Sequence, residues 1–134
     1  MAEYKKVDAA FVGEGLGDAL STTVLVDVRP VEVFSAGHIP MAVNVPLDVA
    51  KFGAEPGKKF VEMCEEANAG PMMPIIVYGA EASDGEEAAQ YLSDADFGNV
   101  MCYVGGFNEW SAAGHLPVEK NDNLQEDNAY PPTF

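Results

Sequence analysis

The segment 75–92 has the order of elements from which proteins build sites for anions and thiolates. An apolar run predicts a buried strand, and Ser83 followed by Glu86 matches a capping box, which predicts the start of a helix. Amides at a helix N-terminus point toward such a site, and the helix dipole favours negative charge there. The connecting loop has no cysteine, basic residue or suitably placed serine nucleophile, and contains Glu81 and Asp84 instead. The segment therefore has the frame of an anion site without the groups that would use it.

Two further patterns could support chemistry, and neither is specific. Gly13, Gly15 and Gly17 suggest a nucleotide-binding loop, but no strong strand precedes them and the third glycine is misplaced. His38 and His115 have no clustered partners, so the sequence predicts neither a zinc site nor a cofactor.

Charge restricts the classes of partner. The 134 residues include 22 acids and 7 bases, a formal net charge of −15, which disfavours nucleic acid and anionic membranes. A basic protein partner and a merely solubilising surface both remain open. No apolar run approaches the roughly 20 residues of a membrane span, and residues 1–6 lack the apolar region of a signal peptide. Cys64 and Cys102 do not form a disulfide framework, so we expect a cytoplasmic protein.

Strands alternate with helices along the chain, which predicts one α/β domain with a mostly parallel sheet. The predicted strands are residues 5–7, 24–28, 42–45, 75–78 and 99–104. Five helices are predicted. The first is capped by Asp8 and carries Ala10, Phe11, Leu16 and Leu20. The others are residues 31–36, residues 58–69 with a C-cap at Gly70, a helix that begins at Asp84, and residues 107–112.

Two longer motifs resemble the signatures of rhodanese-like domains, and the resemblance covers residues 7–119. The first is Asp27-Val28-Arg29-x-x-Glu32-x-Phe34-x-x-Gly37-His38-Ile39-Pro40-x-Ala42-x-Asn44-x-Pro46. The second is Gly105-Gly106-x-x-x-Trp110-x-x-x-Gly114-x-x-Pro117-Val118.

This resemblance implies a three-layer fold: a central, mostly parallel five-stranded sheet with helices on both faces. It also implies an active-site loop after the fourth strand. In active members that loop begins with a cysteine, whose thiolate carries sulfur as a persulfide. Here Gly79 stands at the cysteine position, and Asp84 and Gly85 stand where arginine and serine are frequent. We therefore predict no catalytic residue and a degenerate loop, which consists of Gly79, Ala80, Glu81, Ala82, Ser83 and Asp84.

Electrostatics supports the same interpretation. Asp84 stands where a cation is frequent in the family, and a unit negative charge at about 5 Å costs a bound anion about 3 kcal/mol at an effective dielectric constant of about 20. Our hypothesis is that the carboxylates of the loop occupy the positive potential themselves. The alternative is a sulfurtransferase that uses a non-standard thiol, Cys102 or Cys64, although cysteines in such apolar settings are usually inert.

The remaining motif residues are predicted to be structural. Asp27, Arg29 and Glu32 are expected to form a buried polar network that fixes the turn at Gly37. His38 is expected to hydrogen bond within that turn. The motif residues Gly105 and Gly106 precede the last helix, Trp110 is expected to be a core aromatic, and Tyr103 and Phe107 are expected to flank an apolar pocket.

The sequence predicts a domain at residues 1–118 and an acidic tail at 119–134 with a proline and aromatic end. Tyr130 and Phe134 could dock on a protein partner, or the tail could have no partner. Rhodanese-like members without the cysteine are commonly regarded as regulatory or structural modules, including in cytoskeletal and ciliary assemblies. The resemblance therefore implies a catalytically inactive module with a protein-binding, regulatory or scaffold role, and such an assembly is one expected setting.

Overall fold

The central sheet has five parallel strands in the computed structural model, which describes residues 4–17, 22–114 and 116–120. The strand order is β1-β5-β4-β2-β3, and the strands are β1 (Lys5–Val7), β2 (Val24–Asp27), β3 (Val43–Asn44), β4 (Ile75–Tyr78) and β5 (Val100–Tyr103). All residues of β4 and β5 are buried, as expected for parallel strands covered on both faces. The predicted α/β architecture is confirmed.

Successive side chains on the inner strands point to opposite faces, and each face packs against its own helices. On one face, Val77 and Cys102 pack with Phe60 and Leu92. On the other face, Tyr78 packs in the core that contains Trp110. The first layer contains α3 (Leu47–Ala50), α4 (Pro56–Glu66) and α5 (Ala82–Asp94), and the second contains α1 (Ala9–Gly17), α2 (Val31–Ala36) and α6 (Gly106–Ala112).

The first helix differs in detail from the prediction. The side chain of Asp8 accepts a hydrogen bond from the Phe11 amide at 3.0 Å, which confirms the predicted cap. Phe11 nevertheless faces outward at 48% exposure, and its neighbour Val12 is buried. The three glycines of 13–17 lie inside α1 and form no loop, which excludes the nucleotide-binding arrangement. Leu20, which the sequence places on this helix, lies outside the described residues.

The second long helix, α4, ends earlier than predicted. Asn68 adopts the left-handed conformation at φ 69°, and the Ala69 amide donates to the carbonyl of Cys64 at 2.8 Å. Asn is the residue besides glycine that most readily takes this conformation at a helix end. The predicted C-cap at Gly70 was therefore wrong, and the short helix α3 was not predicted.

The last described segment returns to the body of the domain. Glu119, which the sequence assigns to the tail, forms an antiparallel bridge with His38 through two backbone hydrogen bonds of 2.8 Å. Residues 121–134, with Tyr130 and Phe134, lie outside the described residues. None of the helices in the described ranges is both long and apolar enough to cross a membrane.

Candidate functional site

Gly79 is the first residue after β4 and is buried at the carboxyl edge of the sheet. A Cβ added to it would lie 2.8 Å from the Cβ of Asp84, 3.3 Å from the Gly85 amide and 3.4 Å from the Glu81 carbonyl. Carbon atoms pack best at about 3.5–4.0 Å, so the position has no room for a side chain unless the first turn of α5 moves. The space in front of Gly79 is filled by Asp84.

The loop of Gly79 to Glu81 is fixed by the start of α6. The amide of Phe107 donates to the carbonyl of Gly79 at 2.9 Å, and the amide of Asn108 donates to the carbonyl of Ala80 at 3.0 Å. Gly106 has a left-handed φ of 71°, and a Cβ there would lie 2.5 Å from the Ala80 carbonyl oxygen. Two amides at the start of α6, those of Phe107 and Asn108, are therefore satisfied by the loop carbonyls.

The start of α5 differs from the predicted capping box. The helix begins at Ala82, Glu81 occupies the N-cap position, and no side chain caps it. Ser83 is exposed within the first turn. Because the helix begins one residue before Ser83, Ser83 lies inside the helix and does not cap it, so the predicted capping box of Ser83 and Glu86 is not formed.

The carboxylates of this region serve different contacts. Asp84 lies in the first turn of α5, where the dipole favours negative charge. Glu86 lies 3.8 Å from the Lys6 ammonium, on the β1 side. Glu87 accepts hydrogen bonds from Lys51 at 2.9 Å and from Tyr91 at 2.6 Å. Partial burial of Glu87 opposes ionisation, but these two hydrogen bonds outweigh it and lower its pKa. Glu86 and Glu87 thus have basic or hydroxyl partners away from the loop.

A buried ion pair lies beneath the loop. The Arg29 guanidinium donates to both carboxylate oxygens of Asp27, at 2.7 Å for the shortest contact, and to the Gly37 carbonyl at 2.6 Å. Asp27 is fully buried, and Arg29 is 5% exposed. The network that fixes the turn is confirmed for these residues. Glu32 is exposed on α2, so its predicted membership was wrong.

Tyr78 extends this network toward Gly79. Its hydroxyl accepts a hydrogen bond from the Ile39 amide at 3.1 Å and hydrogen bonds to Asp27. Burial, and then the charge of Asp27, raise the pKa of Tyr78 well above its usual value. The polar groups beneath the loop are therefore used inside the fold.

His38 is 2% exposed and lies in the turn after α2. Its ring stacks on Phe34 with centroids 3.8 Å apart, and Nδ1 donates to the Phe34 carbonyl at 2.8 Å. Nε2 lies 3.4 Å from a carboxylate oxygen of Glu119. This agrees with the predicted hydrogen-bonding role within the turn.

Both cysteines are free and fully buried. Burial raises the pKa of Cys64 and of Cys102 to about 12, with Glu65 and Glu86 as the respective secondary causes. Cys102 lies under the first turn of α5, where a Cβ added to Gly85 would approach its sulfur to 3.1 Å. Neither thiol is positioned or ionised as a nucleophile would need to be.

The aromatic residues near the loop have polar neighbours. The Tyr103 hydroxyl donates a hydrogen bond to Glu109 at 2.7 Å. The Arg29 guanidinium lies over the Phe107 ring, with its central carbon 4.2 Å from the ring centroid. Trp110 is fully buried, as predicted, and its indole donates to the Pro117 carbonyl at 2.7 Å. The predicted apolar character of this edge was therefore wrong in part.

Within the described ranges no group of three or more His, Cys, Asp or Glu side chains is arranged to hold a metal ion, and His115 lies outside them.

Sequence reasoning missed the attachment of the loop to α6. Gly105 and Gly106 were assigned to a motif, but their spacing does not reveal that the next two amides bind the carbonyls of Gly79 and Ala80. A pair of glycines before a helix is the signal that could have suggested a close backbone approach. The contact between Asp84 and Gly79 has no comparable sequence signal.

Comparisons with known proteins agree with this fold. Residues 12–113 match the rhodanese-like domain family. The chain is 31% identical over 100 residues to the thiosulfate:glutathione sulfurtransferase of Saccharomyces cerevisiae, covering 68% of this chain and 66% of the yeast protein. It is 31% identical over 98 residues to the thiosulfate sulfurtransferase GlpE of Pseudoalteromonas translucida, covering 72% of this chain and 81% of that protein.

The fold is also that of solved rhodanese-like domains. The rhodanese-like domain of the Anabaena protein Alr3790 superposes with a TM-score of 0.70 at 23% identity, covering 96% of this chain and 86% of that one. The chain spans less than two thirds of the length of several curated relatives, including the yeast protein. The family match, the identity to sulfurtransferases and the shared fold together show that this chain belongs to the rhodanese-like domain family.

Proposed function

We propose that this chain is a catalytically silent rhodanese-like domain that acts as a protein-binding, regulatory or scaffold module. The observation that carries the proposal is the closure of the position after β4, where Gly79 has no side chain and Asp84 occupies the space in front of it. Sulfur transfer by a persulfide needs a thiolate at an accessible position near hydrogen-bond donors. No described residue of the loop supplies one.

The polar groups around the loop support the proposal. The amides of Phe107 and Asn108 are used by loop carbonyls, and Arg29 is bound to Asp27. The exposed acids Glu81 and Asp84 would repel an anionic sulfur donor. The two amides and Arg29 would have to change partner before they could stabilise a thiolate or bind thiosulfate.

A protein partner is proposed because of the charge and the tail. The net charge of −15 favours a partner with a basic surface. The end of the tail, with Tyr130 and Phe134, has the composition of a docking peptide. A cytoplasmic location, in a cytoskeletal or ciliary assembly, is proposed by analogy with members that lack the cysteine.

The second candidate function is sulfur transfer through Cys102 or Cys64. Its support is the 31% identity to two proteins that are named sulfurtransferases. The burial of both thiols and their pKa of about 12 argue against it, because almost no thiolate exists near neutral pH.

An assay with thiosulfate as donor, and cyanide or glutathione as acceptor, separates the two functions. We expect the turnover of the chain to equal that of a variant in which both cysteines are replaced by alanine. Turnover that is lost in the double variant, while the fold is retained by circular dichroism, would establish the enzyme and refute silence.

The binding role has its own test. Affinity capture with the full chain is expected to retain a reproducible set of proteins, and the Tyr130→Ser/Phe134→Ser variant shows whether the tail binds them. Loss of the set in the variant places binding in the tail, and retention places it on the domain surface. If the full chain retains no more proteins than an unrelated acidic protein of equal charge, the result would contradict the proposed binding role.

A further inference from the structure

A groove of about 610 Å³ lies between α1 and the sheet. Its lining is mainly apolar and includes Phe11, Val12, Met41, Val43, Met73 and Ile76. This volume lies within the range of about 300–1,000 Å³ of typical ligand-binding clefts.

The groove is separate from the loop at Gly79. Its lining includes Thr23 and Val24 at the start of β2, and Met73, which lies shortly before β4 begins. In a parallel sheet these starts lie at the edge opposite to the carboxyl ends, where Gly79 lies. The groove therefore offers a second surface whose use does not depend on the state of the loop.

Met41 marks the rim of this groove. Its side chain is 74% exposed, and its backbone has a left-handed φ of 73°, which is unfavourable for a residue with a Cβ. Its amide donates to a carboxylate oxygen of Glu119 at 3.1 Å. Held in this way, a large apolar side chain stands in solvent beside an apolar groove.

The chain leaves the described body at the same rim. Glu119 contacts Met41 through its side chain and pairs with His38 through its backbone, and Lys120 is the next residue. From Lys120 to Tyr130 there are ten residues, which can extend up to about 33 Å. That reach is similar to the diameter of a small domain, so residues 129–134 can reach any part of the groove.

We propose that residues 129–134 of this chain bind in the groove, with the rings of Tyr130 and Phe134 against Met41, Met73 and Phe11. Methionine sulfur makes favourable contacts with aromatic rings, which suits these side chains to each other. Pro131 and Pro132 favour an extended backbone in advance, which reduces the entropy lost on binding. Residues 121–128, which include Asp122, Glu126 and Asp127, connect this segment to the described body.

This inference goes beyond the proposed function. The tail is then a ligand of its own domain, so a partner that binds Tyr130 or Phe134 must first displace these side chains from the groove. Occupation of the groove by the tail and binding of a partner to the tail are then mutually exclusive. The inference concerns a surface away from Gly79, so a failure of catalytic silence leaves it intact.

The test uses methyl NMR of the full chain with labelled methionine. An aromatic ring over a methyl group shifts its resonance, so the Tyr130→Ser/Phe134→Ser variant is expected to move the signals of Met41 and Met73. Thr133→Ser is the matched control in the tail and is expected to leave both signals in place. Met72, 93% exposed and not part of the lining, serves as the internal control.

Three results would overturn the proposal. The first is a variant whose Met41 and Met73 signals are unchanged while its folded amide spectrum is retained. The second is a dependence of these signals on protein concentration, which would place the tail of a second copy in the groove. The third is a shift caused by Leu20→Ser and not by the tail variant, which would assign the groove to the segment 18–21.

Discussion

Replacing Gly79 by cysteine restores the thiol that the family uses, yet we expect almost no sulfur transfer from that single change. The new Cβ would lie 2.8 Å from the Cβ of Asp84. The cost of forcing such a contact in a packed region is about 1–3 kcal/mol, because the first turn of α5 must shift. The same cost is expected for Gly79→Ala, which adds the Cβ without a thiol, and urea unfolding measures both.

The charge of Asp84 adds a second penalty. A carboxylate at about 5 Å disfavours a thiolate by at most about 3 kcal/mol at an effective dielectric constant of about 20, and solvent screening of the exposed Asp84 reduces this. A penalty of that size reduces the thiolate population by up to about a hundredfold. The steric and electrostatic effects act on the same position and can be separated by choice of the residue at 84.

The assay is a matched series in the thiosulfate–cyanide reaction. Gly79→Cys/Asp84→Ala removes the charge and keeps the Cβ contact, whereas Gly79→Cys/Asp84→Gly removes both at a helix-propensity cost of about 1 kcal/mol. We expect activity to rise in the order single variant, alanine double variant, glycine double variant. Robust activity in the single variant, equal to that of both double variants, would refute the reasoning.

Three further predictions follow from contacts elsewhere in the fold. Gly106→Ala is expected to destabilise the folded protein by at least about 2 kcal/mol in urea unfolding, because its left-handed backbone faces the Ala80 carbonyl. The control Gly114→Ala, at φ 80° with no atom close to the added Cβ, should cost about 1 kcal/mol. Equal losses in the two variants would contradict the close approach at Gly106. Arg29→Ala is expected to cost about 3–5 kcal/mol by the same measurement because a buried carboxylate loses its partner, and a loss below about 1 kcal/mol would show that water compensates. Burial raises the pKa of each thiol from 9.0 to about 12, so the thiols of the unfolded chain ionise at a lower pH than those of the folded protein. The free energy of unfolding should therefore fall as the pH rises from 9.0 to about 12. Both thiols should also resist a disulfide reagent at about pH 8 until the protein unfolds, and rapid labelling of the native protein would contradict their burial.

The strands were predictable because burial on both faces demands continuous apolar runs. The runs at Ile75–Tyr78 and around Val24–Asp27 satisfy that demand, and both strands form there. The helix Val31–Ala36 was also correctly bounded, since Pro30 and Gly37 lie at its two ends. Local sequence signals were sufficient where the bounds of a strand or helix depend only on the residues within it and at its ends.

The errors arose where tertiary contacts decided. Ser83 and Glu86 match a capping box, but α5 begins at Ala82, after a loop whose carbonyls are bound by the amides of α6. Glu32 belongs to a motif in which Asp27 and Arg29 are buried, and only the orientation of α2 shows that Glu32 faces solvent. The sequence also led to Phe11 instead of Val12 as an apolar residue of α1, because glycines interrupt the apolar pattern of this helix.

The candidate site shows the same division. The position of Gly79 follows from the strand that precedes it, so the absence of a side chain there could be predicted. The filling of that space by Asp84 could not, because it depends on the angle at which α5 leaves the loop. The burial of Cys102 beneath Gly85 likewise depends on helix packing.

We propose that no thiol of this chain accepts sulfur in the folded protein. Mass spectrometry of the native chain after incubation with excess thiosulfate tests it most directly. We expect an unchanged mass, with Cys64 and Cys102 both unmodified. A gain of one sulfur atom that cyanide removes, and that is absent from the Cys102→Ala or Cys64→Ala variant, would contradict it.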